Sequence, residues 1–375
     1  MINALTTKLL QAPSISPNDA GCQEFIAKEL SRLGFTIESR HFGDVKNLWA
    51  TLGHQSKTLL FIGHTDVVPP GPLENWKFPP FEPTIHEGKL YARGAADMKV
   101  ALACMVDACE RFLTTTPHPT FNIAFLITSC EEANTNDGTE RAIHQLIHIE
   151  NKRFDWCIVG EPSAQHRLGD TIKVGRRGSL HGTLTIIGQQ GHIAYPQLAK
   201  NPIHLTAPFL TELTQIVWDT GNDYFDPTSL QISNIHSGDG TVNVIPESTT
   251  ILFNFRYAPT SSQEGLQRSV EDLLKKHQLT YEITWYDGGK PFQSSFGVLH
   301  QAIQTATYAV TGLYPISSTS GGTSDARFIA PHGIETIELG FPNQTIHQVN
   351  ECIEISEIEK LTEIYYKALH YLQNG

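Results

Sequence analysis

Three apolar runs in this chain stop abruptly on histidine or acid. The run 58–63 ends at His64-Thr65-Asp66, the run 121–130 at Glu131-Glu132, and the run 154–160 at Glu161-Pro162. Apolar stretches this short, bounded by glycine or proline, read as buried parallel strands, and open α/β sheets bind ligands at the carboxyl edge of such strands. An imidazole and several carboxylates delivered to one edge put like charges close together, which cations make tolerable. His64 and Asp66 stand two apart, so on a strand they leave the same face and the carboxylate can orient the imidazole. Taken alone, that pair fits a satisfied histidine at a strand end equally well.

The elements that must position these residues can be read from periodicity. Leu5, Leu9 and Leu10 mark a first helix, and a second spans about 19–33 with Gly34 as its stop. Segments 35–42 and 47–52 read as strands before the His64 strand, and the proline-rich stretch 69–83 as an ordered loop. Asp97 stands after a small-residue turn at the start of a helix that runs through Ala101, Leu102, Met105, Cys109 and Phe112. It reads either as an N-cap or as a place where backbone approaches a bound group. From Gly178 the order strand 179–188, helix 201–217, strands 229–235 and 249–257, helix 263–276 and strand 280–285 gives βαββαβ, a ferredoxin-like unit. Helix 299–310, strand 334–339 and helix 356–371 close the chain, and 317–325 reads as a ligand-facing loop.

The 375 residues exceed what one core accommodates, so two domains are expected, one built from 1–177 and 291–375 and the other from 178–290. A net charge of -12 argues against a nucleic-acid partner. No apolar run is long enough to span a membrane and no signal-peptide layout opens the chain, so a cytoplasmic location is expected. The six cysteines form no C-x-x-C pair and read as buried thiols.

Gly63-His64-Thr65-Asp66-Val67-Val68-Pro69, Arg93-Gly94-Ala95-Ala96-Asp97-Met98-Lys99, Glu131-Glu132, Gly160-Glu161-Pro162 and Thr345-Ile346-His347 together resemble the co-catalytic zinc aminoacylase and carboxypeptidase family. The resemblance implies an α/β catalytic domain with a mostly parallel central sheet flanked by helices, plus an inserted ferredoxin-like α+β dimerisation domain. It implies two Zn²⁺ ions per subunit, with Co²⁺ as the alternative, bridged by Asp97 and completed by His64 and Glu161 at one ion and Glu132 and His347 at the other. All donors are nitrogen or oxygen, as such ions require. Neighbours on a strand face opposite ways, leaving Glu131 free as general base, with Asp66 and His192 completing the catalytic set. The resemblance further implies a cis peptide after Asp97, a homodimer through the inserted domain, and His192 crossing to the partner's site.

Gly175-Arg176-Arg177-Gly178-Ser179-Leu180, Gly191-His192-Ile193-Ala194-Tyr195-Pro196, Ser320-Gly321-Gly322-Thr323-Ser324-Asp325 and Val349-Asn350-Glu351 resemble members that hydrolyse an N-succinylated diamino dicarboxylic acid. That implies substrate contacts from Arg176, Tyr195, Asn243, Arg256, Gly322, Thr323 and Asn343, the two arginines gripping carboxylates of a small polycarboxylate. The chain departs from the family pattern at Cys130, Ala133, Val100 and Val242. N-acetyl amino acid or dipeptide hydrolysis is the near alternative. A non-catalytic ligand-binding relative is the distant one, and it would lack a metal ligand or the base.

Overall fold

The structure, a computed structural model, describes residues 2–133 and 137–375. The chain forms two compact units, one of Met1–Gly175, Gln293–Ser318 and Ser324–Gly375, the other of Arg176–Phe292 and Thr319–Thr323.

The first unit is built on an eight-stranded sheet. Its strands run in the spatial order Thr36–Phe42, Val45–Leu52, Asn122–Thr128, Thr58–His64, Trp156–Val159, Glu335–Glu338, Thr171–Lys173, Ile316–Ser318. The His64 strand pairs in parallel with Asn122–Thr128 on one side and Trp156–Val159 on the other. The three runs that end in His64, Glu131-Glu132 and Glu161 are therefore adjacent and point the same way. They are apolar throughout because both faces are covered: Leu59, Leu60, Phe61 and Ile62 are all fully buried. Helices Lys99–Thr115 and Val298–Thr311 both pack on the closing helix Ile355–Asn374, which buries Leu361, Ile364, Tyr365 and Leu369. Tyr365 places its hydroxyl on the Leu339 carbonyl, satisfying the phenol inside the core. Thr84–His86, Lys89–Tyr91 and Cys352–Glu354, each three residues long, form a small three-stranded sheet.

The second unit is a four-stranded antiparallel sheet in the order Ser229–Ser237, Ser248–Tyr257, Gly178–Ile187, Tyr281–Gly289, with helices Pro202–Leu213 and Gln263–Lys276. One sheet face is apolar. Ile251, Phe253 and Phe255 alternate with more exposed neighbours along Ser248–Tyr257 and pack with Leu184, Phe209, Leu213, Val270 and Leu274.

The sequence reading placed all of 291–375 in the first domain, but Thr319–Thr323 groups with the second. The reason is polar anchoring: Thr319 donates its hydroxyl to the Tyr224 carbonyl, and Arg176 Nη1 donates to the Ser320 carbonyl at 3.3 Å. Among the described residues, no helix is long and apolar enough to cross a membrane.

Candidate active site

His64 ends its strand almost fully buried, with Nδ1 2.9 Å from the Asp66 carbonyl oxygen. A carbonyl only accepts, so Nδ1 carries a proton, which leaves Nε2 as the ring nitrogen that would face a cation. Nε2 lies 3.3 Å from Asp97 Oδ1 and 3.7 Å from Glu161 Oε1. On the other side, His347 Nε2 lies 3.3 Å from Asp97 Oδ2 and 2.8 Å from Glu132 Oε1. Asp97 thus offers one oxygen to each of two groups, His64 with Glu161 and His347 with Glu132. Within each group the donor atoms lie within 4.8 Å of one another, and His64, Glu131 and Glu132 make a third such group.

The segment that carries Asp97 is held from three sides. The Asp97–Met98 peptide is cis, as the resemblance implied. Met98 is fully buried, and a Cβ at either Gly63 or Gly160 would collide with its terminal methyl. The glycines just before His64 and Glu161 therefore make room for the chain that brings Asp97 between them. Glu351 supplies the third hold. Its Oε1 accepts from the Ala96 and Asp97 amides at 2.8 and 3.1 Å, and its Oε2 from the Gly94 amide at 3.0 Å and Arg93 Nη1 at 2.8 Å.

Sequence reasoning assigned Glu351 no role, since all its partners lie about 250 residues away and no local pattern marks the pairing. Glu351 stands four residues after His347, so one buried carboxylate ties the His347 loop to the Asp97 turn. Glu351→Ala strands a buried guanidinium and three buried amides, and breaking a buried pair costs about 3–5 kcal/mol. Thermal denaturation of the metal-free variant should show Tm lower by roughly 6–15 °C; an unchanged Tm contradicts this account of the turn.

Two expectations are corrected, and one of the two open readings of Asp97 is excluded. The strand stops at His64, and Asp66 lies beyond it, so the same-face rule does not govern that pair. The Asp66 carboxylate stands 3.6 Å from Nδ1, and it accepts instead from the Glu131 amide at 3.1 Å and the Glu132 amide at 3.1 Å. It fixes the acid pair, while its own backbone carbonyl orients His64. Glu131 and Glu132 likewise lie past the strand end at Thr128, so alternation does not separate them and both join the cluster with His64. Asp97 does not cap the following helix, which begins at Lys99 after an uncapped Met98.

The electrostatics point to missing positive charge. Burial, Asp97 and Glu131 push the Glu161 carboxyl well above its usual range, and burial with Asp325 and Glu132 does the same to Glu131 against the pull of His64. Burial opposes ionisation of Asp97, but hydrogen bonds from His347 and His64 outweigh it and hold the carboxyl low. Hydrogen bonds to Asp97 and Glu132 raise His347 to about 10. Glu161 Oε1 is buried with no hydrogen-bond partner. A buried, unpartnered carboxylate oxygen beside two imidazoles and three further acids fits a pair of divalent cations, whose charge would reverse these penalties. Cys130 is buried and its thiol is raised to about 11 by burial and Asp66, which suits packing rather than nucleophilic chemistry.

On the second unit, His192 is exposed on a two-residue strand, Gly191–His192, paired with Val244–Ile245. Its Nδ1 accepts from the Ala194 amide at 3.1 Å, so in the neutral ring Nε2 is the donor. Tyr195 and Asn243 are exposed nearby, the Asn243 carbonyl accepting from the Ile193 amide at 3.2 Å. Arg256 Nη1 and Arg177 Nε are buried without hydrogen-bond partners, and burial together with Arg177 lowers the Arg256 pKa. Two guanidinium groups so placed favour an anion. Gly322 is exposed and Thr323 half-buried in the Arg176 loop; Asn343, in the first unit, donates its amide to the Ala164 carbonyl at 3.0 Å.

Residues 60–371 match the model of peptidase family M20/M25/M40. The chain is 52% identical over 369 residues to a succinyl-diaminopimelate desuccinylase from Acinetobacter baumannii, covering 98% of this chain and 97% of that one. A protein of the same name from Thiobacillus denitrificans is 53% identical over 369 residues, covering 98% and 94%. Among solved structures, an M20 family metallo-carboxypeptidase from Sulfolobus solfataricus superposes with a TM-score of 0.78 at 18% identity, covering 100% of both chains. A dinuclear metal-binding M20 peptidase from Bacillus subtilis gives 0.73 at 13% identity, covering 99% and 97%.

Proposed function

The chain belongs to peptidase family M20/M25/M40, and on that premise we propose that it is a metal-dependent amide hydrolase that cleaves N-succinyl-LL-2,6-diaminopimelate to succinate and LL-2,6-diaminopimelate. That is a step toward lysine and peptidoglycan precursors, carried out in the cytoplasm. The observation that carries the reaction type is Asp97, whose two oxygens face two separate groups of nitrogen and oxygen donors. The substrate is supported by relatives 52–53% identical over nearly the whole chain.

His64, Asp97 and Glu161 would hold one divalent ion and Asp97, Glu132 and His347 the other, Zn²⁺ or Co²⁺. When bound, the pair supplies Lewis-acid polarisation of the amide carbonyl and favours ionisation of water. The protein's own groups do the rest. Glu131 accepts a proton from the attacking water as its oxygen bonds to the succinyl carbonyl carbon. It returns that proton to the amine nitrogen as the C–N bond breaks, so acid and amine leave balanced. Asp66 keeps the Glu131 and Glu132 amides fixed during this exchange.

Arg176 and Arg256 grip substrate carboxylates, and Tyr195, Asn243, Gly322, Thr323 and Asn343 make further substrate contacts. The unpartnered nitrogen of Arg256 supports that role. The second unit pairs two subunits, and His192 of the partner subunit donates Nε2–H to the oxyanion that develops on the carbonyl. Supporting this are the exposure of His192, whose Nδ1 is taken by the Ala194 amide, and the exposed Ile193, Tyr195, Leu198 and Val242 of the same unit.

Substrate choice is tested by comparing kcat/KM for the succinyl substrate with that for N-acetylornithine and dipeptides. A site built around several carboxylate-binding groups should favour the succinyl substrate by roughly 10³-fold or more, because each competitor leaves a buried guanidinium unpaired. Preference for either competitor would overturn the substrate assignment and leave the hydrolase reading standing.

A further inference from the structure

Residues 12–19 lie between the helices Ala4–Gln11 and Cys22–Arg32 and supply no member of the Asp97 cluster, yet they are bonded to three of the stretches that do. Ser14 donates its hydroxyl to the Thr65 carbonyl at 2.6 Å and accepts from the Val67 amide at 2.9 Å through its own carbonyl. Asp19 Oδ1 accepts from the Thr65 hydroxyl at 2.7 Å, the closer of that hydroxyl's two acceptors, since the Thr128 carbonyl lies at 3.3 Å. The Pro17 carbonyl accepts from the Ser129 hydroxyl at 3.0 Å, two residues before Glu131. The Ala12 carbonyl accepts from Lys99 Nζ at 2.9 Å, two residues after Asp97. Ser14, Asp19, Thr65, Lys99 and Ser129 are all buried, so water does not compete for these bonds.

One peptide unit connects this segment to His64. The unit joining Asp66 and Val67 turns its carbonyl to His64 Nδ1 at 2.9 Å and its N–H to the Ser14 carbonyl at 2.9 Å. The unit is trans, so these two groups point opposite ways in one plane, and holding the N–H aims the carbonyl. The preceding carbonyl is held by the Ser14 hydroxyl, and the Thr65 side chain by Asp19. We propose that Ser14 and Asp19 are positioning residues: through Thr65 and the Asp66–Val67 peptide they fix the angle at which the His64 imidazole presents Nε2 to Asp97 and Glu161. The inference rests on His64 serving as a metal ligand in the reaction proposed above.

Groups that orient a ligating imidazole through its second nitrogen set both ring angle and basicity, and losing them costs about 10- to 100-fold in metal affinity or activity. A plainer role for Asp19 is to serve the helix that follows, because its carboxylate also accepts from the Gln23 amide at 3.2 Å. The two roles separate at Thr65. A role confined to the helix needs Gln23 and makes the Thr65 hydroxyl dispensable, whereas positioning of His64 needs that hydroxyl.

The test uses the full-length protein loaded with Zn²⁺, in competition with a chromophoric chelator, beside steady-state kinetics and thermal denaturation. Thr65→Val removes the hydroxyl at nearly constant shape and leaves the contact between Asp19 and Gln23. It is expected to hold Zn²⁺ about 10- to 100-fold less tightly at one of two positions and to lower kcat about tenfold or more with KM little changed. Thr65→Ser, which keeps the hydroxyl, should restore both to within a few-fold of the parent. Ser14→Ala removes a single hydroxyl and should shift Zn²⁺ affinity and kcat the same way, which keeps the test open if Thr65→Val does not fold. A lower Tm with unchanged Zn²⁺ affinity and kcat overturns the proposal and leaves a packing role only. So does a Thr65→Ser variant as impaired as Thr65→Val. A parent that binds Zn²⁺ but releases no succinate would sink the substrate assignment alone, and the chelator competition would still decide the roles of Ser14 and Asp19.

Discussion

Glu131→Gln is expected to lower kcat by about 10²- to 10⁴-fold while leaving metal content close to that of the parent, because an amide cannot take the proton from the attacking water. The structure sharpens the expectation about metal content. Glu131 shares a group with His64 and Glu132, but both groups centred on Asp97 are complete without it. Its amide, held by Asp66, is also untouched by the side-chain change. Steady-state kinetics beside elemental analysis checks both halves. Activity within a few-fold of the parent would remove Glu131 from the role of base, and loss of an ion would make it a ligand instead.

The second large effect concerns His192. His192→Ala should lower kcat by about 10²- to 10³-fold, the usual loss for one oxyanion donor, with little change in metal content. If the donor comes from His192 of the partner subunit, a mixture of Glu131→Ala and His192→Ala subunits regains one complete site per heterodimer. Recovery of activity on mixing, absent in either variant alone, is the expected result. Failure to recover after verified subunit exchange would place His192 in its own chain's chemistry or in none.

Much of this site was legible because the strands that carry it are so plainly apolar. Leu59–Ile62, the Ile123–Ile127 run and Trp156–Val159 are buried on both faces, and such runs can only be central strands whose polar ends mark the sheet edge. What the sequence could not reveal is what happens one or two residues past those ends. The same-face rule for His64 and Asp66, and the opposite-face rule for Glu131 and Glu132, both assume strand geometry that stops at His64 and at Thr128. Beyond those points backbone amides and carbonyls take over. Asp66 receives two of them, and its own carbonyl faces His64. Glu351 was invisible for a related reason, since its partners are the backbone of a turn some 255 residues earlier. The grouping of Thr319–Thr323 with the second unit follows from contacts to Tyr224 and Arg176 that no local pattern announces. His347, by contrast, was assigned through family resemblance alone, and it stands 2.8 Å from Glu132 and 3.3 Å from Asp97.

The central claim is that amide hydrolysis depends on two divalent ions held through Asp97. Stripping the protein with a chelator and adding Zn²⁺ back in measured equivalents, while following succinate release from the succinyl substrate, tests it most directly. Activity should be lost on stripping and climb to its plateau by about two equivalents per subunit, and Asp97→Ala should neither retain the ions nor recover turnover. Full turnover in protein free of divalent ions, or undiminished turnover in Asp97→Ala, would contradict the account.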